Sequence, residues 1–241
     1  MAATLARVER AIRSNAYDPQ RSPAWGWQQQ VAYGTLAAHP EWLDDVLAAL
    51  PADLRDPVRA TVDAETALSA PDLGHAPAKL PDTPADLPDW VIRTPRPPDE
   101  LLRDYREAES AFGIPWQYLA AIHFVESKMG RIHGNSTAGA RGPMQFLPST
   151  WAVYGAGGDI DDDHDAILAA ARFLAASGGP ADMRRALFSY NPSDAYVAAI
   201  TGYADVVAAE PRAYDGFYTW QVYVGTTHGD LLLPEGWTKP A

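Results

Sequence analysis

Apolar positions recur at steps of three and four residues along much of the chain, the spacing that one face of an α-helix presents. Leu5, Val8 and Ile12 begin the pattern, and further runs cover Trp25–Ala38, Pro40–Leu50 and about Leu54–Leu68. Pro40 ahead of Glu41 suits a first helical turn, and Pro51 closes that segment. The rhythm stops between 71 and 100, where Pro71, Pro77, Pro81, Pro84, Pro88, Pro95, Pro97 and Pro98 fall. Proline fixes φ and lacks the donor that helices and sheets need, so this stretch reads as an extended connector. Trp90, Val91 and Ile92 form an apolar island in it that docks on the neighbouring domain.

Helical spacing returns with Leu101, Leu102, Tyr105, Ala108 and Phe112, and Gly113 ends that stripe. Ile114-Pro115 opens the next helix, whose residues Trp116, Leu119, Ala120, Ile122 and His123 are apolar nearly all round, so it is buried on most sides. Asp163 suits the cap of a helix running to Ala176, with Gly178-Gly179 as its stop. Pro180 to Phe188 reads as a short helix broken at Tyr190-Asn191-Pro192, and Ser193 or Asp194 starts a last long one through Ile200, Tyr203 and Val207. The tail from Gly216 has the aromatic and β-branched content of one or two short strands. The pattern as a whole predicts a mainly α fold without an internal repeat. It divides into a helical N-terminal extension (1–70), a proline-rich connector (71–98), a helical domain (99–210) and a C-terminal tail packed on that domain (211–241).

Composition narrows the function. A hydrophobic fraction of 47% and an aromatic fraction of 10% are enough for a real core. A net charge of −12 argues against nucleic acid, because neutralising phosphates requires a basic surface, and against docking on anionic lipid by charge alone. With no cysteine, disulfides, thiolate metal sites and a cysteine nucleophile are excluded. No window approaches the roughly 18 consecutive apolar residues of a membrane span. The first twenty residues lack the unbroken apolar core of a signal peptide.

The chemistry concentrates between Gly113 and Trp151. The buried helix delivers one carboxylate, Glu126, followed at once by Ser127, Lys128 and Gly130, and then by a loop rich in Gly, Ser, Thr and Asn. Burial and the negative end of the helix dipole both disfavour a charged carboxylate there. A neutral carboxylic acid is what protonation of a glycosidic oxygen requires. The usual glycosidase plan adds a second carboxylate. The next acids downstream, Asp159, Asp161, Asp162, Asp163 and Asp165, sit in a run that reads as a solvated loop and helix cap. This favours a single acid, with a nucleophile supplied by the substrate. The plainer reading of Glu126 is a helix-end acid paired with Lys128 or Arg131. His39 and His75 read as surface or cap residues, and His123 as a satisfied core histidine. Asp159-x-Asp161-x-Asp163 begins like a calcium loop, but His164 stands where glycine is needed and Ala170 where glutamate is, so no metal is assigned. His164 has no second histidine at ligand spacing, and no cofactor is implied.

Four ordered blocks carry a resemblance: Glu126-Ser127 with Gly130; Gly142-Pro143-Met144-Gln145-Phe146-Leu147-Pro148-Ser149-Thr150-Trp151; Asp165-Ala166-Ile167 at a helix start; and Ser189-Tyr190-Asn191. Residues 99–210 resemble the lysozyme-like domain (goose-type lysozyme/SLT) of lytic murein transglycosylases, most of all the membrane-bound type B family and its actinobacterial relatives. Pro143 replaces the leucine usual in the soluble type, and Pro192 stands where many relatives carry glycine. The resemblance implies a monomer that acts on peptidoglycan glycan strands in the cell wall, outside the cell. Glu126 would protonate the MurNAc–GlcNAc β-1,4 oxygen and then deprotonate the C6 hydroxyl, leaving a 1,6-anhydro end. It implies substrate contacts at Ser127, Met144, Gln145, Tyr190 and Asn191. Four of these have a structural alternative: a helix-end cap for Ser127, core packing for Met144, and a structural role for Tyr190 and for Asn191, the latter as a loop brace. Trp116, Phe146 and Trp151 read as core. A hydrolytic muramidase and a glycan-binding module that does not cut remain as alternatives.

Overall fold

A computed structural model describes residues 1–69 and 80–240. The helices run in chain order α1 (Ala2–Ile12), α2 (Ala24–Ala38), α3 (Leu43–Ala49), α4 (Ala52–Leu68), α5 (Pro98–Phe112), α6 (Trp116–Ser127), α7 (Pro148–Tyr154), α8 (Asp163–Ala176), α9 (Met183–Tyr190), α10 (Asp194–Ala209) and α11 (Ala213–Tyr218). Two short antiparallel pairs join them: β1 (Val91–Ile92) with β2 (Ile132–His133), and β3 (Val222–Thr226) with β4 (Gly229–Leu233). The fold is mainly α, as the periodicity predicts. No helix among the described residues is long and apolar enough to cross a membrane. Part of the proline-rich connector, with Pro71, His75 and Pro77, lies outside the described residues.

Composition draws boundaries at 70, 98 and 210, whereas packing divides the chain another way. One compact unit is Met1–Gly74 with Asn191–Trp220, and the other is His75–Tyr190 with Gln221–Ala241. In the first unit α10 lies along α4, and α2 packs on α1, α4 and α11. Val197, Ile200, Tyr203, Ala204 and Val207 are the buried stripe of α10. Gly202 allows the close approach to α4, since a Cβ there would stand 3.0 Å from the Ala64 methyl. Glu9 is buried among its partners: Gln29 and Tyr33 donate to one carboxylate oxygen at 2.8 and 2.6 Å, and Arg13 pairs with the other at 3.0 Å.

In the second unit α5 packs on α6 and α8, and α8 carries α7 and α9 on its other sides. Gly113, in the left-handed region at φ 73°, ends α5 as expected. The apolar island around Val91 pairs as β1 and buries Ile92 with Leu87, Val222 and Leu233, while Trp90 and Trp237 pack against that cluster. The strands of the tail begin at Val222. The residues just before, Ala213–Tyr218, form α11 in the other unit.

Two helix starts differ from the sequence reading. Asp162 caps α8, accepting the Asp165 N–H at 3.0 Å, so Asp163 is the first helical residue and its carboxylate is turned to another use. α9 starts at Met183, after a turn in which Asp182 accepts the Arg185 N–H at 3.0 Å. Ser193 caps α10 through the Tyr196 N–H at 3.2 Å, in line with the sequence reading.

Candidate active site

Glu126 stands in the last turn of α6, half-buried. The chain then makes a run of left-handed residues: Lys128 at φ 53°, Met129 at 61° and Gly130 at 80°. Side chains disfavour this region by about 1 kcal/mol or more each, so something must hold the run in place. Backbone bonds hold it from one side, Lys128 N–H to the Phe124 carbonyl at 3.0 Å and Met129 N–H to the His123 carbonyl at 3.1 Å. Ser127 holds it from the other, accepting the Gly130 N–H at 3.0 Å. Gly130 is required on its own account, because a Cβ there would fall 2.7 Å from an Asp163 carboxylate oxygen. Gln145 is also left-handed, at φ 50°. Thus three of the four non-glycine residues with positive φ among the described residues lie just after Glu126 or in the 142–146 loop that Ser127 anchors, where strain tends to mark function.

That loop, Gly142 to Phe146, is fixed at two points. The Ser127 hydroxyl, fully buried, donates to the Pro143 carbonyl at 2.6 Å. The Tyr190 hydroxyl, from the end of α9, donates to the Met144 carbonyl at 2.6 Å. The loop also closes on itself: Arg141 and Phe146 exchange backbone bonds at 2.8 and 2.9 Å, and the Gln145 side chain donates to the Gly142 carbonyl at 2.9 Å. Gly142 admits no side chain, since a Cβ would meet the Ile160 carbonyl oxygen at 1.8 Å.

The predicted site residues divide accordingly. Glu126, Gln145 and Tyr190 are half-buried, whereas Ser127 and Met144 are fully enclosed, at 0% exposure. Ser127 spends its hydroxyl on positioning the loop, and the Met144 side chain is core while its carbonyl anchors Tyr190. Asn191 belongs to the other unit, and its carbonyl accepts the Ser193 N–H at 2.8 Å. Burial first, and then the negative field of Glu126, hold the Tyr190 phenol well above its ordinary pKa. The hydroxyl therefore remains a donor across the neutral range, and its pKa registers the Glu126 carboxylate nearby. Phe146 and Phe173 flank the Tyr190 ring edge to face, with centroids at 5.7 and 5.3 Å, and Trp151 lies 5.5 Å from Phe146. Phe173, on α8, had no motif to distinguish it from the rest of an amphipathic helix.

Behind Glu126 lies a polar link that spacing alone does not reveal. His123 is fully buried, with Nδ1 2.8 Å from the Tyr105 hydroxyl and Nε2 3.2 Å from an Asp163 oxygen. It ties α6 to α5 and to α8. Burial raises the Asp163 pKa, but the His123 bond and the charges of His123 and Arg96 outweigh it, and the carboxyl lies below its usual value. Asp162, His164 and Asp165 gather at the α8 start with atoms close enough to share a cation. Their carboxylates already serve the backbone: Asp162 caps α8, and Asp165 accepts the Asp159 N–H at 2.8 Å. His164 lies 3.2 Å from Glu107.

Residues 104–205 match the family model of the transglycosylase SLT domain. No curated protein and no solved structure matches the chain significantly. The SLT match starts within α5 and ends within α10, and it contains every predicted site residue. It supports lytic transglycosylase action on peptidoglycan in general terms, on a lysozyme-like domain. The SLT span also crosses the division between the two compact units, because α10 packs with the N-terminal helices.

Proposed function

We propose that the chain is a peptidoglycan lytic transglycosylase in which Glu126 is the single acid and base. In this reading Glu126 protonates the oxygen of the MurNAc–GlcNAc β-1,4 bond. The substrate's acetamido group stabilises the positive centre that forms at C1. Glu126, now a carboxylate, takes the proton of the C6 hydroxyl as that oxygen closes on C1, leaving a 1,6-anhydro end without water. Gln145, half-buried on the loop that Ser127 and Tyr190 anchor, offers donors and an acceptor to sugar amides and hydroxyls. Tyr190 and Ser127 act as positioning residues, and Asn191 remains a candidate for the acetamido group. The enzyme would work on glycan strands of the cell wall, as a monomer.

The observation that carries this reading is the placement of Glu126: half-buried at the end of an apolar helix, beside a strained turn and a loop stapled by Ser127 and Tyr190. The SLT match over the same residues supports it. Digestion of purified peptidoglycan tests it by mass spectrometry. The parent should release muropeptides with 1,6-anhydro ends, and Glu126→Gln should lower the rate at least about 100-fold, the usual scale of a lost general acid. Reducing ends would establish a muramidase in its place. Equal clearing of wall material by parent and variant would remove Glu126 from the chemistry.

A further inference from the structure

A cavity of about 560 Å³ opens in the second unit between β1, β2 and the start of the 142–146 loop. None of the predicted site residues lines it. Its charged and polar walls are Asp89, Arg93, His133, Asn135, Arg141 and Asp161. Its size is within the range that admits a ligand of a few amino-acid residues.

The charges are unevenly committed. Arg141 and Asp161 already hold each other at 2.6 Å and form one closed wall. Asp89 and Arg93, which flank β1 on its two ends, line the cavity outside that pair. Arg93 is exposed at the mouth, and its charge reaches the cavity: burial and then the Arg93 guanidinium hold the His133 imidazole below its usual pKa. His133 is thereby a neutral hydrogen-bonding group at pH 7, not a third cation. The lining holds no Phe, Tyr or Trp on which a sugar face would stack, and Gly134 keeps the wall close, since a Cβ there would meet the Asp89 carbonyl at 2.8 Å. Gly142 belongs both to this cavity and to the turn whose carbonyl accepts the Gln145 side chain.

We propose that this cavity binds the peptide branch of the peptidoglycan strand, with Arg93 taking a carboxylate and Asp89 an ammonium group, while the glycan passes on the Gln145 side of the shared turn. The proposal rests on the function given above. It follows from matching charge to charge: the glycan backbone brings neutral hydroxyls and amides, and the peptide brings both signs.

Two measurements separate this proposal from the one on which it rests. Calorimetry with full-length protein and a peptidoglycan-derived tripeptide ending in a diamino acid should detect binding. Arg93→Ala and Asp89→Asn should each weaken it at least tenfold, as should amidation of the peptide carboxylates for the parent protein. Rates on peptide-bearing and peptide-stripped glycan strands should then diverge. Arg93→Ala should raise KM about tenfold on the first with kcat kept, and leave the second unchanged. Absence of tripeptide binding, or an equal effect of Arg93→Ala on both strands, overturns the cavity assignment even if anhydro ends form. If the parent cuts neither strand, the transglycosylase reading fails, and tripeptide binding then shows a peptide site without that activity.

Discussion

Ser127 shows how much local structure one buried hydroxyl can hold. Its removal leaves the Pro143 carbonyl without its donor and the Gly130 N–H without its acceptor, both in a dry environment. Leaving such groups unpaired costs about 1–3 kcal/mol. Ser127→Ala should therefore melt several degrees lower and, on the proposed function, lose kcat on peptidoglycan more than it raises KM, because the 142–146 loop loses its anchor at the end of α6. A thermal melt with steady-state rates checks this; unchanged kcat would restrict Ser127 to stability. At this scale the sequence located Glu126 at the end of the buried helix α6, where the structure has it. It was ambiguous about Ser127 and Met144, since cap, core and contact residues share the same letters. It misled on Asp163, where two neighbouring aspartates could both cap α8 and only coordinates show which one faces His123.

The helices α5, α6 and α8 are joined by more than apolar contact, because His123 bridges Tyr105 and Asp163 in the core. Asp163 has its folded-state pKa lowered, so its contribution to stability is complete above the ordinary value of 3.8 and disappears as pH falls through the lowered one. The stability gap between the parent and Asp163→Asn should be constant well above the ordinary value of 3.8 and narrow as pH falls below it, as measured by denaturant midpoints. A gap that persists undiminished in acid would show that the cost of the substitution is steric. Among the elements, the long helices were legible because each buries a stripe that repeats at helical spacing. β1 and β2 were not, since two-residue strands have no period and pair across a wide separation in the chain. α7 was hidden because its seven residues bury none fully.

On the scale of the whole molecule, the SLT match and the packing cut the chain at different places. Helical content could be read in advance, but partnership between α10 and α4 could not, because an apolar stripe records that it needs a cover and not which segment supplies it. A fragment of residues 99–210 contains the full match and all candidate residues, yet it lacks the helices on which α10 lies. Expressed alone, it should be largely insoluble or bind a hydrophobic dye strongly, and adding back residues 1–98 in the same chain should restore a cooperative melt. A soluble, cooperatively melting fragment would show that α10 needs no partner.

The contact of Gly202 with Ala64 gives the N-terminal helices a function that their lack of motifs conceals. They form half of a hydrophobic seam whose other half follows Tyr190-Asn191, the last block of the resemblance, directly in sequence. A bulky side chain at either Gly202 or Ala64 would pry that seam apart, so a lesion about 60 residues upstream of Glu126 could abolish the proposed activity without altering any of the candidate site residues.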